Sequence, residues 1–146
     1  MIDNKLSDTF SIKRVPSILA FTSLSVVLSD LCSQFWKLQK QLRIVFDSVS
    51  SLLMYTKPDA VVRFLHVLLG HFKRMNAVSM LILEEGMHGE MVETTLKQLC
   101  EGVFRLRQAE GRRTVTCLGL AATPCTSEEI PFEITDKGII IKKDVT

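Results

Sequence analysis

The chain has 146 residues, 47% of them hydrophobic and 23% charged, and 18 Lys plus Arg against 16 Asp plus Glu leave a formal charge of +2. A chain of this length buries about 70% of its unfolded surface around one core, its composition excludes disorder, and its small charge excludes an overall field that would attract a polyanion. Cys32, Cys100, Cys117 and Cys125 contain no C-x-x-C pair, and His66, His71 and His88 stand at no zinc-finger spacing from them. Reduced, mostly buried thiols in a cytoplasmic protein are therefore expected.

The first apolar stretch, Val15 to Leu31, follows Lys13 and Arg14 as the core of a signal peptide would. Pro16, Asp30 and several Ser and Thr hydroxyls interrupt it, a membrane span needs roughly 20 mainly apolar residues, and no cleavage site is evident. No membrane association is expected. From Thr22 or Ser23, which suit an N-cap, Leu24, Val27, Leu28, Leu31, Phe35 and Leu38 recur at helical spacing. Leu42-Arg43-Ile44-Val45-Phe46-Asp47 then reads as a short buried parallel strand ending on an acid. Ser48 to Thr56 suits a short helix or turn. Pro58, at a first helical position, opens a long helix with Val61, Val62, Leu65, Leu68, Leu69 and Phe72 inward.

Ala77 to Leu83 predicts a second strand, closed by Glu84-Glu85-Gly86, and Met91 to Leu99 has helical spacing again. Gly102 to Arg107 and Arg112 to Leu118 predict a hairpin around Glu110-Gly111. Phe132 to Thr135 and Ile139 to Lys142 predict another around Asp136-Lys137-Gly138. The pattern is an α/β domain with a parallel core, helices on its faces and C-terminal antiparallel hairpins.

Arg43-Ile44-Val45-Phe46-Asp47-Ser48-Val49-Ser50 has the form of a Walker B strand, four residues ending in Asp-Ser before a Ser-rich turn. Gly86-Met87-His88, Cys100-Glu101-Gly102-Val103, Thr123-Pro124-Cys125 and Pro131 to Ile139, with its Phe-x-Ile-x-x-x-Gly-Ile pattern, follow in a matching order. In these features the chain resembles the C-terminal part of a RecA/KaiC-like ATPase domain, a branch of the P-loop NTPases. The resemblance implies a partial three-layer RecA-like fold over residues 22–146, with residues 1–21 as an extension or, through Phe10 to Phe21, a replacement strand.

Complete members hold phosphate in a G-x-x-x-x-G-K-[ST] loop ahead of the Walker B strand. None of the seven glycines here is followed by Lys, and the first, Gly70, comes after that strand. The family's catalytic glutamate upstream of Walker B has no counterpart, since Met1 to Arg43 contains Asp3, Asp8 and Asp30 but no Glu. Alignment on Thr123-Pro124 places Gly119 and Ala121 where the family's Lys-x-Arg pair would reach a neighbouring subunit's phosphate.

The resemblance thus implies residual Walker B, Mg²⁺ and sensor positions at Asp47, Ser48 and Glu84, with Asp47 as the metal position, and no catalytic residue. No cofactor is expected unless another chain supplies the rest of an ATP·Mg²⁺ site. The bland alternative for Asp47-Ser48 is a strand-end acid bonded to its own turn, and for Glu84 and Glu85 a solvated loop. His88 among Glu84, Glu85, Glu90 and Glu93 lacks H-E-x-x-H spacing, and carboxylates suit a helix N-terminus without any metal.

Arg105, Arg107, Arg112 and Arg113 form the basic patch, with Arg105 and Arg107 on one side of a strand. It offers phosphate contacts or an edge guarded against aggregation. Three functional classes follow: a P-loop-lacking domain acting through protein interaction or regulation, a fragment of an ATP-binding KaiC/RecA-like ATPase, or a nucleic-acid-binding accessory using the 105–113 hairpin. The expected partners are a second copy or a KaiC/RecA-like chain, because a missing central strand leaves an apolar edge beside Ala77 to Leu83.

Overall fold

Helix-forming runs and β-branched bursts alternate along the chain, and each becomes its own element. A computed structural model describes residues 12–38, 41–121 and 123–142. The order is α1 (Phe21–Leu38), β1 (Arg43–Phe46), α2 (Val49–Tyr55), α3 (Pro58–Arg74), β2 (Val78–Leu81), α4 (Glu90–Gln98), β3 (Gly102–Ala109), β4 (Arg112–Leu120), β5 (Glu129–Thr135) and β6 (Gly138–Ile141). The fold is α/β, with a parallel two-stranded sheet and an antiparallel four-stranded one. The chain divides into two compact units, Met1–Glu93 and Thr94–Thr146, and the division falls within α4.

The first unit is organised by α3. Pro58 starts the helix, where a missing N–H loses nothing, and Asp59 in the first turn and Lys73 and Arg74 in the last complement its dipole. Val61, Phe64, Leu65, Leu68 and Phe72 recur at three- and four-residue spacing, and all five are buried. Burial of each such large side chain contributes about 1.5–3 kcal/mol. Phe64 joins three elements: its ring stacks on Phe21 of α1 at 4.7 Å between centroids and meets Phe46 of β1 at 6.3 Å. Val49 and Leu52 of α2 complete the apolar interior.

Strands β1 and β2 pair in parallel, Arg43 opposite Val78 through Phe46 opposite Leu81. Their burial alternates. Ile44, Phe46, Ser79 and Leu81 are half-buried, whereas Val45, Val78 and Met80 are exposed. Parallel sheets are ordinarily covered on both faces. Of the replacement strand expected over Phe10 to Phe21, Phe10 and Ser11 lie outside the described residues. Residues 12–20 form no strand, and Phe21 begins α1.

The second unit is a meander in the order β3-β4-β5-β6, each neighbouring pair antiparallel. Glu110 and Gly111 both take positive φ, 49° and 76°, the geometry of a two-residue turn whose twist matches that of its strands. At the β5–β6 turn the Thr135 hydroxyl donates to the Gly138 carbonyl at 3.0 Å and accepts from the Lys137 amide at 3.2 Å. Gly138 supplies φ 114° there.

One expectation is overturned. Cys117 of β4 and Cys125 of the β4–β5 connection form a disulfide rather than two thiols. The returning connection brings their Cα atoms to 5.7 Å, within disulfide range. Cys32 and Cys100 remain free, and burial pushes both thiols up from the ordinary cysteine range. No helix among the described residues is long and apolar enough to cross a membrane.

Candidate functional site

The carboxyl ends of two adjacent parallel strands are where an α/β sheet places its functional groups. Asp47 follows β1 directly and Glu84 follows β2 by three residues. Both are exposed, and the Asp47–Ser48 peptide is cis. The Ser48 side chain caps α2: its hydroxyl accepts from the Ser51 amide at 3.2 Å and meets the Ser51 hydroxyl at 3.0 Å. The Ser-rich turn after the strand is thus a helix start.

Two further bonds join the exits of β1 and β2. The Val49 amide donates to the Ile82 carbonyl at 2.9 Å, and the Ser50 hydroxyl, in a residue 2% exposed, accepts from the Glu84 amide at 2.9 Å. Ser50 therefore fixes the backbone from which the Glu84 carboxylate projects. A third contact holds the following loop, where the Gly86 amide donates to the Glu93 carboxylate at 2.9 Å. Glu93 is buried and lies in the first turn of α4, so this acid serves a backbone amide beside a helix N-terminus.

Sequence reasoning found Asp47, Ser48 and Glu84 at this end of the sheet but missed Ser50 and Glu93 as the residues that shape it. Ser50 carries a signal only in its place within the Ser-rich turn. Glu93 lies in the first turn of a helix, where the helix dipole favours acids generally.

Among the described residues no three His, Cys, Asp or Glu side chains come together as a metal-binding group, His88 and its neighbouring glutamates included. On their own the residues at this end of the sheet do not fit ATP·Mg²⁺. Asp47 offers a single carboxylate, the Ser48 hydroxyl is bonded within α2, and no G-x-x-x-x-G-K-[ST] loop occurs in the 146 residues.

The basic hairpin lies in the second unit. Arg107 pairs with Glu129 at 3.8 Å, both side chains more than half exposed, and Arg113 Nε donates to Gln108 Oε1 at 3.4 Å. The ion pair is of the solvent-screened kind that adds little stability. Arg105 and Arg107 lie opposite Thr116 and Thr114 in the register, two positions apart and hence on one face.

The family model for the KaiC ATPase matches residues 17–146. The chain belongs to the KaiC ATPase family. Its fold is similar to the crystal structure of a KaiC-like protein from the hyperthermophilic archaeon Pyrococcus horikoshii OT3, with a TM-score of 0.65 and 18% sequence identity. That match covers 88% of this chain and 57% of the archaeal one, so the chain spans little more than half the length of its structural relative. No curated protein matches it. The RecA/KaiC-like resemblance and the α/β fold read from the sequence are thereby established.

Proposed function

We propose that this chain is a KaiC-like domain that acts through contact with another polypeptide rather than through ATP turnover. The observation that carries the reading is the engagement of the hydroxyls after Asp47. Ser48, expected beside Asp47 at a residual Mg²⁺ position, caps α2, and Ser50 of the same turn holds the Glu84 amide, so both hydroxyls serve the fold. A lone exposed carboxylate binds Mg²⁺ weakly without phosphate oxygens to complete the coordination. The partner class is a KaiC/RecA-like chain or a second copy.

Calorimetric titration of the full chain with ATP·Mg²⁺ tests this. No binding heat is expected in the sub-millimolar range. Sub-millimolar affinity that disappears in Asp47→Asn would overturn the reading.

A second reading draws on the length of the match. Since 57% of the archaeal KaiC-like chain is covered, these residues also suit the C-terminal portion of a longer ATP-binding polypeptide in which Asp47 holds Mg²⁺. A G-x-x-x-x-G-K-[ST] motif in coding sequence upstream of Met1 would favour it.

A further inference from the structure

A cavity of about 590 Å³ lies between α1 and β1, lined by Leu28, Leu31, Cys32 and Phe35 of α1 and by the chain from Gln41 to Val45. Consecutive residues of β1 line it while none from β2 does, so it runs along the strand edge that faces away from β2. The ladder agrees. The Leu42 carbonyl accepts from the Val78 amide and the Phe46 carbonyl from the Ile82 amide, each at 2.9 to 3.0 Å. By the alternation of a parallel strand, Leu42, Ile44 and Phe46 then direct their backbone groups toward β2, and Arg43 and Val45 direct theirs into the cavity. Among the described residues no other strand pairs with β1.

An apolar wall facing a row of backbone donors and acceptors selects its occupant by shape and by chemistry. A water-filled cavity leaves Leu28, Leu31 and Phe35 wet, and an apolar small molecule would strip the Arg43 and Val45 backbone of water without replacing its hydrogen bonds. An extended peptide satisfies both sides. Strand rise and the spacings between strands and sheets give about 160 Å³ per residue, so the cavity matches about four residues, the length of β1. Among the described residues of the lining Arg43 is the charged one, and it has no ion pair with a described residue, which favours a carboxylate on the incoming segment.

We infer that the edge of β1 and the facing side of α1 form a docking groove for an extended, mainly apolar segment carrying one acidic residue, lent as a strand by a different polypeptide. The inference deepens the protein-contact reading above and rests on it. A second copy is a poorer donor. Among the described residues β5 is the acid-bearing strand, and it is already paired on both sides, by β4 and β6.

The probe is a short fluorescein-labelled peptide of alternating Ile and Val with one Glu, followed by anisotropy on the full chain. Saturable binding is expected, weaker by about tenfold when alternate peptide nitrogens are methylated and cannot donate. Val45→Pro removes a backbone donor on the open edge, a position where proline leaves the β1–β2 ladder intact, and should weaken binding similarly. Arg43→Glu should reverse the preference from the Glu peptide to one with Lys. Should Val45→Pro fail to fold, Leu28→Lys places a charge on the apolar wall and tests the same groove.

Equal binding of the methylated peptide, or no saturable binding by a chain with unchanged circular dichroism, would overturn the inference. Self-association abolished by these substitutions would do the same, by making a second copy the occupant. The ATP titration reads the function independently: nucleotide binding would defeat the protein-contact reading and leave the peptide result standing.

Discussion

The interior of Met1–Glu93 is built from side chains of α2 and α3, with Val49, Leu52, Val61, Leu65, Leu68 and Phe72 all at or below 3% exposure. Thr94–Thr146 is built differently. Among its described strand residues Thr116 is the buried one, and Phe104, Leu106, Ile134 and Ile139 stand at 60 to 68% exposure. The first unit gains its stability from apolar burial behind amphipathic helices, the second from backbone ladders closed by tight turns and one covalent bridge. A sheet of four short strands with one face against no core of its own needs such local devices, because cross-strand pairs each add only a few tenths to about 1 kcal/mol.

The largest effect that would break this contrast is expected in the first unit. Phe72→Ala removes a ring that is 1% exposed and should cost about 3–5 kcal/mol. Chemical denaturation with hydrogen exchange should show amides of α2, α3 and β2 losing protection first. Equal loss throughout β3 to β6 would show that the two units unfold as one. Next in size is the disulfide. Cys125→Ser opens a loop with a sequence separation of 8 and should lower stability by about 2–3 kcal/mol, felt in β4 and β5. Unchanged exchange there would mean the ladders suffice. The smallest is Ser50→Ala, which leaves the Glu84 amide without its acceptor and should cost about 1–3 kcal/mol. Its effect belongs in residues 82–86, and a shift confined to α2 would point to packing instead.

The elements were legible because each is written in local periodicity. Apolar residues at helical spacing placed α1, α3 and α4, Pro58 marked the start of α3, and Glu110-Gly111 marked the tight turn that joins β3 to β4. A parallel core was expected from two apolar bursts separated by a long helix, and the structure supplies it as the pairing of β1 with β2. Terminal bounds moved by a few residues, as in β5, which begins at Glu129 rather than Phe132.

What stayed hidden depends on contacts between distant residues. Ser50 and Glu84 lie 34 positions apart, and no pattern of residue types announces that one hydroxyl will take the other's amide. Cys117 and Cys125 are separated by 8 positions, a spacing with no metal or redox motif, and their pairing arises from the path of the β4–β5 connection. The groove beside β1 is hidden for the same reason: α1 reads as amphipathic, but the sequence does not say that its apolar stripe will face an open strand edge.

The bonds from Val49 and Ser50 have a mechanical consequence. Both reach from the first turn of α2 to the chain beyond β2, at residues 82 and 84. The helix is consequently tied at its head, at two points, to the chain that leaves β2. Movement of α2 about the Asp47–Ser48 joint would therefore pull on the base of the acidic loop at both points.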